Sequence, residues 1–109
     1  MITWEDFESV HLCVGTIVRA EDFPEARKPA YKLWVDVGDG VVRQSSAQIT
    51  HLYTLEGLIG KQVLCVTNFP PKKIGQWMSE ILVTGFCQAD GTVVLASPDL
   101  PLPNGTRLA

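Results

Sequence analysis

The chain has 109 residues, a formal net charge of -3 and a sequence pI of about 5.2. That length is typical of one domain, so residues 1–109 are predicted to form a single domain. The acidic pI excludes a histone-like or polybasic coat, and 46% hydrophobic residues with only 19% charged residues exclude a disordered chain.

The net charge conceals an uneven distribution along the chain. Residues 1–26 carry one basic and six acidic side chains, residues 27–73 carry seven and three, and residues 74–109 carry one and three. The middle of the chain is therefore cationic, and the fold decides whether those cations share one face.

The apolar runs and the cysteines favour a cytoplasmic protein. The longest aliphatic or cysteine run is 63–66, whereas a membrane span needs about 20 apolar residues, so neither membrane insertion nor an export signal is expected. The three cysteines form no C-x-x-C pair and are predicted to be free thiols that pack as small hydrophobes in a reducing compartment. His11 and His51 are too few for a structural zinc site, so no metal is expected. No cofactor is expected either.

The predicted elements begin with a short helix and two strands. Thr3 resembles a helix N-cap, and Asp6 is the acidic residue three positions later, a pair that is typical of a helix start. The β-rich run 12–23 predicts the first strand, with a bulge or sharp bend at Gly15. Apolar and polar residues then alternate over 31–37, which is the pattern of a half-buried second strand.

The remaining elements follow from turn and proline signals. The turn sequence before 41–47 predicts a hairpin into a third strand, and 54–60 predicts one or two helical turns. The run 63–69 is predicted to be a central fourth strand, because it is apolar on both faces and ends at two prolines. A fifth strand is predicted over 80–87, followed by a ribbon strand over 92–96 and a tail that wraps over the surface.

This element order is that of the OB-fold, an all-β, five-stranded Greek-key barrel. Short helices flank the predicted barrel, and a C-terminal ribbon extends it. An SH3-like small barrel is the alternative, because order along the chain does not fix how the strands close. In an OB barrel, the loop after strand one and the loop before strand five border the ligand face.

No catalytic motif is present. The chain lacks G-x-S-x-G, P-loop and G-x-G-x-x-G sequences, and its acidic residues do not cluster as a glycosidase or metal pair requires. Ser45 and Ser46 lie near His51 in the sequence, but no third group is evident to orient a base, so both serines are interpreted as hydrogen-bonding groups. The protein is therefore predicted not to be an enzyme.

Two segments, 24–33 and 68–80, combine cations with aromatic side chains. Cations neutralise a nucleic-acid backbone, and bases stack on rings such as Tyr31, Trp34 and Trp77 for about 1–3 kcal/mol each. The residues predicted to bind a ligand are Arg27, Lys28, Tyr31, Lys32, Ser45, Ser46, Gln48, Lys72, Lys73, Trp77, Met78 and Ser79.

The second segment also suits a polypeptide ligand. Ile74, Trp77 and Met78 beside two lysines form an adaptable apolar surface with a basic edge, which favours extended or unfolded chains. Trp34 fits a binding surface and a core or dimer contact equally well, whereas Phe69 is expected in the core. Side-chain chemistry alone leaves polypeptide and nucleic acid open as ligands.

Several long segments together resemble the CsaA family of secretion chaperones. The resemblance extends over nearly the whole chain, with the segments in the same order and spacing. They are VGTIV at 14–18, PEARKPAYKL at 24–33, SSAQI at 45–49, GK at 60–61, the segment 68–80 and PNG at 103–105.

That family lies within the OB-fold tRNA-binding domains, such as those appended to methionyl-tRNA synthetases. The resemblance implies a homodimeric barrel, a peptide-binding role in protein export and a tRNA-binding ancestry. The broader tRNA-binding pattern has Asp-Lys-Leu where this chain has residues 31–33, and Asn-Leu where it has residues 68–69. Binding of unfolded preproteins or peptides therefore ranks first, and tRNA binding second.

The terminal segments lie outside a minimal barrel. They carry apolar side chains that have no evident place in its core. The residues predicted to build a homodimer interface are accordingly Trp4, Phe7, Leu100 and Leu102.

Overall fold

The computed structural model describes residues 1–109 without a gap. Strands dominate, and no helix is long and apolar enough to cross a membrane. The elements in chain order are α1 (Trp4–Glu8), β1 (Leu12–Asp22), β2 (Tyr31–Asp36), β3 (Val42–Ala47), α2 (Leu55–Leu58), β4 (Gln62–Val66), β5 (Lys72–Ile74), β6 (Trp77–Ser79), β7 (Leu82–Val83), β8 (Gly85–Cys87) and β9 (Val93–Leu95).

Five antiparallel strands form the barrel, in the spatial order β3-β2-β1-β4-β7. The segment before β7 bridges the two edge strands, since the backbone N–H groups of Glu80 and Ile81 donate to Gln44 O at 2.8 and 3.3 Å. Ser45 Oγ donates to Ile81 O at 2.7 Å across the same junction. The sheet is nearly closed, and the predicted OB-fold is confirmed.

The core follows the predicted alternation along β2. Tyr31, Leu33 and Val35 are buried, and the residues between them are half-buried. Ile17 from β1 and Val63 from β4 are fully buried in the same cluster. Because burying an aliphatic side chain of this size contributes about 1.5–3 kcal/mol, the alternation fixes which face of each strand points inwards.

Gly15 permits a close approach of β1 to β2. A Cβ atom at Gly15 would lie 2.5 Å from Val35 Cγ1 and 3.1 Å from Asp36 O. The register shift between the two strands lies between Ile17 and Arg19. The predicted irregularity in β1 is therefore present, but it follows Gly15, whose role is to avoid a steric clash.

The predicted fifth strand, 80–87, is divided into β7 and β8. Thr84 changes partner between them, because its N–H donates to Leu64 O at 3.0 Å while its carbonyl accepts from Ala96 N–H at 3.1 Å. β7 therefore pairs with β4, whereas β8 pairs with β9 to form the C-terminal ribbon. The sequence pattern does not reveal this change of partner, because the residues on both sides of Thr84 favour strands equally.

Several local predictions are wrong. The predicted loop before the fifth strand contains the β5–β6 hairpin, and β4 ends at Val66, earlier than predicted. Phe69 is 54% exposed instead of buried, because it lies beyond β4 and no strand directs its side chain inwards. Cys87 is exposed and Cys13 is half-buried, so only Cys65 is a fully buried thiol.

The two termini are held against the barrel by hydrogen bonds. The predicted cap of α1 is a complete capping box between Thr3 and Asp6. The tail lies along β1, since Val14 N–H donates to Thr106 O at 2.9 Å and Gly105 N–H donates to Val14 O at 2.7 Å. The tail thus adds an edge to the first half of β1.

Candidate functional site

The segment after β1 and the β5–β6 hairpin lie side by side on the outside of the barrel. The ring centroids of Phe23 and Trp77 are 6.4 Å apart in an edge-to-face arrangement. Glu25 Cβ lies 3.9 Å from the position that a Cβ atom on Gly75 would take. The two segments that border the ligand face in an OB barrel are therefore adjacent.

Five side chains form a cation–aromatic cluster: Arg19, Phe23, Lys32, Trp34 and Trp77. The rings of Trp34 and Trp77 meet edge to face with centroids 5.0 Å apart. The Arg19 guanidinium carbon lies 4.4 Å from the Trp34 centroid, and Lys32 Nζ lies 5.2 Å from Phe23 and 5.1 Å from Trp77. Each such contact contributes about 0.5–1 kcal/mol at an exposed site, so the cluster fastens the hairpin to the barrel.

Carboxylates pair with part of the positive charge on this face. The ion pairs of the structure are Arg19–Glu21, Lys32–Glu25 at 3.7 Å and Arg43–Glu80 at 3.6 Å. The exposed cations of the two segments that have no carboxylate partner are Arg27, Lys28, Lys72 and Lys73. The charge available to an anionic ligand is therefore at the rim of the cluster and not within it.

The two faces of the β5–β6 hairpin differ. Ile74 is opposite Trp77 in the register, and Lys73 is opposite Met78. Opposed residues of a hairpin share a side and successive residues alternate, so Lys73 and Met78 point away from the side that carries Trp77. Trp77 contacts Trp34 on the barrel, and Met78 is 44% exposed. The hairpin therefore presents a basic and apolar side to solvent.

Two predicted ligand contacts, Tyr31 and Ser45, are core residues instead. Tyr31 is buried, and its hydroxyl donates to Tyr53 O at 2.8 Å. Ser45 is fully buried and donates to Ile81 O. Both occupy inward-facing positions of their strands, so neither can stack on or hydrogen-bond to a ligand outside the barrel.

The other predicted polar contacts lie at the surface. Ser46 is half-buried opposite Lys32 in the β2–β3 register. Gln48 is exposed directly after β3, and Ser79 is half-buried opposite Lys72. None of the three residues belongs to the cluster, and only Ser46 is paired in register with one of its members.

Arg19 and Phe23 are cluster members that the sequence analysis missed. Arg19 is opposite Trp34 in the β1–β2 register, and Phe23 immediately follows β1. The signal that would have revealed Arg19 is the register shift in β1, which rotates the strand after Ile17. That shift is a property of the paired strands.

Helix α1 buries none of its residues although both of its ends are fixed. Trp4 is 81% exposed, and Asn68 Nδ2 donates to Ser9 O at 2.8 Å just after the helix. Trp4 and Phe7 line a cleft of about 550 Å³ together with Leu108 of the tail. Leu108 was not among the predicted interface residues. Its N–H donates to Leu12 O at 2.9 Å, which holds it at the start of β1 and beside α1.

Leu100 and Leu102 lie apart from α1. Leu102 N–H donates to Gln62 Oε1 at 2.9 Å, at the end of β4 opposite to α1. Leu100 lines a separate cleft of about 450 Å³ beside Lys61. Of the four predicted interface residues, Trp4, Leu100 and Leu102 are exposed and Phe7 is half-buried. They occupy two places, connected by the tail along β1.

Two cysteines oppose each other across β1 and β4, at Cys13 and Cys65. Burial raises the pKa of both thiols, and the nearby Cys13 contributes further to raising the pKa of Cys65 to about 12. In the ribbon turn, hydrogen bonds from Thr92 hold the pKa of Asp90 below its ordinary value. No group of three or more His, Cys, Asp or Glu side chains is arranged to hold a metal ion.

Comparison with known proteins relates these features to two kinds of relative. The profile of the family described as "Putative tRNA binding domain" matches residues 12–107. The chaperone CsaA from Bacillus anthracis is 48% identical with a TM-score of 0.94, and the alignment covers 100% of this chain and 99% of that chain. The CsaA chaperone protein from Picrophilus torridus is 47% identical with a TM-score of 0.91, and both chains are covered completely.

Methionine–tRNA ligases are similar over a limited part of their length. Methionine–tRNA ligase 1 of Bacillus cereus is 38% identical over 108 residues, which is 98% of this chain but 16% of the ligase. The chain therefore spans about a sixth of the length of the curated relatives it matches. By its fold, its matched segment and its end-to-end similarity, the chain belongs to the tRNA-binding domain family and, within it, to the CsaA-type proteins.

Proposed function

We propose that the protein is a CsaA-type chaperone that binds unfolded or extended polypeptides in support of protein export, without catalysing a reaction. The observation that carries this proposal is the end-to-end similarity to two CsaA chaperones at 47–48% identity. The ligases share only a segment equivalent to this domain. No cofactor is part of the proposal, since passive binding needs none.

The solvent side of the β5–β6 hairpin suits such a ligand. Met78, 44% exposed, lies on this side with Lys73. Phe69, 54% exposed, precedes the hairpin, and Lys72 is exposed on its other side. Neither lysine has a carboxylate partner. A flexible methionine adapts to different apolar side chains, while the lysines attract acidic segments. We infer that this surface holds short apolar stretches of a preprotein that has not yet folded.

Binding of tRNA is the second candidate, favoured by the cation–aromatic cluster and its rim. The Arg19 guanidinium lies over Trp34, and four unpaired cations lie on the two segments that meet at the cluster. Rim cations would contact phosphates, and partly exposed rings would stack bases. The family to which the chain belongs is itself described as binding tRNA.

A cytoplasmic location and a homodimer belong to the same proposal. Three free cysteines suit a reducing compartment. Trp4 is 81% exposed on a helix that buries nothing in its own chain, and a second copy would cover it. We expect light scattering to show that Trp4→Glu converts a dimer into a monomer. Val18→Glu, at an exposed apolar residue outside α1, is the control and should leave the dimer intact. A wild-type monomer at micromolar concentration would contradict the dimer.

One experiment separates the two ligands. A fluorescent, reduced and carboxymethylated unfolded protein and a deacylated tRNA are titrated with the wild type over a salt series. Four unpaired cations predict a log-log salt slope of about -3 to -4 for tRNA, whereas apolar polypeptide binding should persist at high salt. The proposal expects binding of the unfolded protein; binding of tRNA alone would replace it with the second candidate, and binding of neither would refute both.

Variants locate the binding surface in the same assay. Lys72→Ala combined with Lys73→Ala should flatten the tRNA salt slope by about 1.5–2, and Met78→Ser should weaken polypeptide binding. Lys61→Ala is the matched control, because Lys61 lies over the Tyr53 ring at 5.8 Å and outside both segments. Equal effects of the double variant and the control would exclude the hairpin as the site.

A further inference from the structure

The outer edge of β8 carries backbone groups without partners in the barrel. β8 pairs only with β9, and Gln88 N–H donates to Thr92 O at 2.8 Å in that ladder. Leu95, which is opposite Gly85, directs its N–H away from β8 to Tyr53 Oη at 2.9 Å. Because ladder contacts alternate along an antiparallel pair, the N–H and C=O groups of Gly85 and Cys87 point away from β9.

This edge is short, but it is exposed and is protected neither by charged side chains nor by prolines. All three residues of β8 are exposed, and Phe86 is 67% exposed opposite Val94 at 39%. Natural edge strands are usually protected by charged side chains, prolines or covering loops. Residues 82–88 contain no charged residue and no proline. The edge therefore offers main-chain hydrogen bonds beside an apolar side chain.

We propose that the outer edge of β8 binds an extended polypeptide segment by strand addition. The inference rests on the proposed polypeptide-binding role, but it assigns a second surface, separate from the hairpin and independent of its lysines. The added strand would exchange hydrogen bonds with Gly85 and Cys87. An apolar side chain of the bound segment would pack on Phe86, as alternate side chains do when a peptide extends a sheet.

The size of the edge favours a short peptide segment over a second copy of the chain. Three strand residues span about 10 Å, which matches three to five residues of an extended ligand. A stable dimer interface buries about 800 Å² on each partner, far more than one three-residue edge provides. Backbone recognition also suits a chaperone, since it does not depend on the sequence of the client.

The test uses a substitution that acts on the outer edge alone. Cys87→Pro removes the outward N–H and places the proline ring there, while the ladder to β9 loses no donor. Cys87→Ser is the matched control, because it retains the N–H. The probe is a fluorescein-labelled peptide of alternating valine and threonine with a lysine at each end, whose charge disfavours the basic hairpin.

Strand addition predicts that the wild type and Cys87→Ser bind this peptide equally and that Cys87→Pro binds it at least about tenfold more weakly. Equal binding by all three proteins, or no binding by the wild type, overturns the inference. Such a failure leaves binding of the unfolded protein at the hairpin intact, so the two proposals fail separately. Urea unfolding shows whether Cys87→Pro is folded.

Amide hydrogen exchange gives a second readout that needs no variant. In the wild type, the peptide should slow exchange at Gly85 and Cys87 and leave the already bonded Phe86 amide nearly unchanged. Protection confined to the hairpin would overturn the inference. Protection at β8 that grows with protein concentration in the absence of peptide would assign the edge to a second copy of the chain instead.

Discussion

Trp77 is the side chain through which the β5–β6 hairpin contacts the barrel. Its indole N–H donates to Ser45 O at 3.1 Å, its ring meets Trp34 at 5.0 Å, and Lys32 Nζ lies 5.1 Å from it. These contacts contribute about 1 kcal/mol for the hydrogen bond, about 0.5–1.5 kcal/mol for the ring pair and about 0.5–1 kcal/mol for the cation. Trp77→Ala should therefore cost about 2–3.5 kcal/mol of hairpin docking.

Amide hydrogen exchange measures this loss directly. If the hairpin opens as a local unit, its protected amides should exchange faster by roughly 30- to 400-fold in Trp77→Ala, while the β1–β4 amides change little. Met78→Ala is the matched control, because Met78 is on the solvent side of the same strand and should accelerate exchange by less than about threefold. Urea unfolding of both variants shows whether the global stability changes.

Two results would refute this reasoning. Similar exchange rates in Trp77→Ala and Met78→Ala would show that the indole contacts do not hold the hairpin. Equal acceleration of the hairpin and of the β1–β4 amides would show that the hairpin does not open separately from the barrel. Trp77→Phe should fall between alanine and the wild type, since it keeps a ring but loses the N–H donor.

Two further predictions concern the barrel. The Cys65 thiol has a pKa of about 12 in the folded chain but about 9.0 in the unfolded chain, so the unfolded chain ionises first as the pH rises. The free energy of unfolding should therefore fall between pH 9 and 12 by at most about 1.4 kcal/mol per pH unit. Urea unfolding should show a shallower fall for Cys65→Ala, and parallel curves for the two proteins would contradict the assignment. Gly15→Ala should cost about 1–3 kcal/mol because its Cβ would lie 2.5 Å from Val35 Cγ1; combined with Val35→Ala the loss should be smaller than the sum, and strict additivity in thermal unfolding would contradict a clash at that atom.

Local patterns in the sequence placed most of the elements correctly. The alternation of Tyr31, Leu33 and Val35 located β2 and its buried face, and Thr3 with Asp6 located the start of α1. These predictions succeed because the strand period and the capping box involve residues that are neighbours in the chain. The order of the elements favoured the OB-fold over an SH3-like barrel, and the observed barrel confirms the OB-fold.

The candidate site was only partly predictable, because a residue type does not specify which way its side chain points. Ser45 and Ser46 are adjacent and chemically identical, yet Ser45 is fully buried and Ser46 faces the outside of the sheet. Lys73 and Trp77 belong to the same predicted segment but lie on opposite sides of a hairpin, where the sequence predicted only a loop. Strand register decides both cases.

By itself, the sequence determined the all-β class, the order of most elements along the chain and the cationic character of the middle segment. Only the tertiary structure decided that Glu21, Glu25 and Glu80 pair with cations of the outer face. Four of the cations left unpaired lie on the segment after β1 and on the neighbouring β5–β6 hairpin. The tertiary structure also decided that the strand partner changes from β4 to β9 at Thr84, which leaves one edge of β8 free. The physical reason is that periodicity indicates only the type of element and the face of it that is buried. Ion pairing, register and strand partners depend on residues distant in the chain.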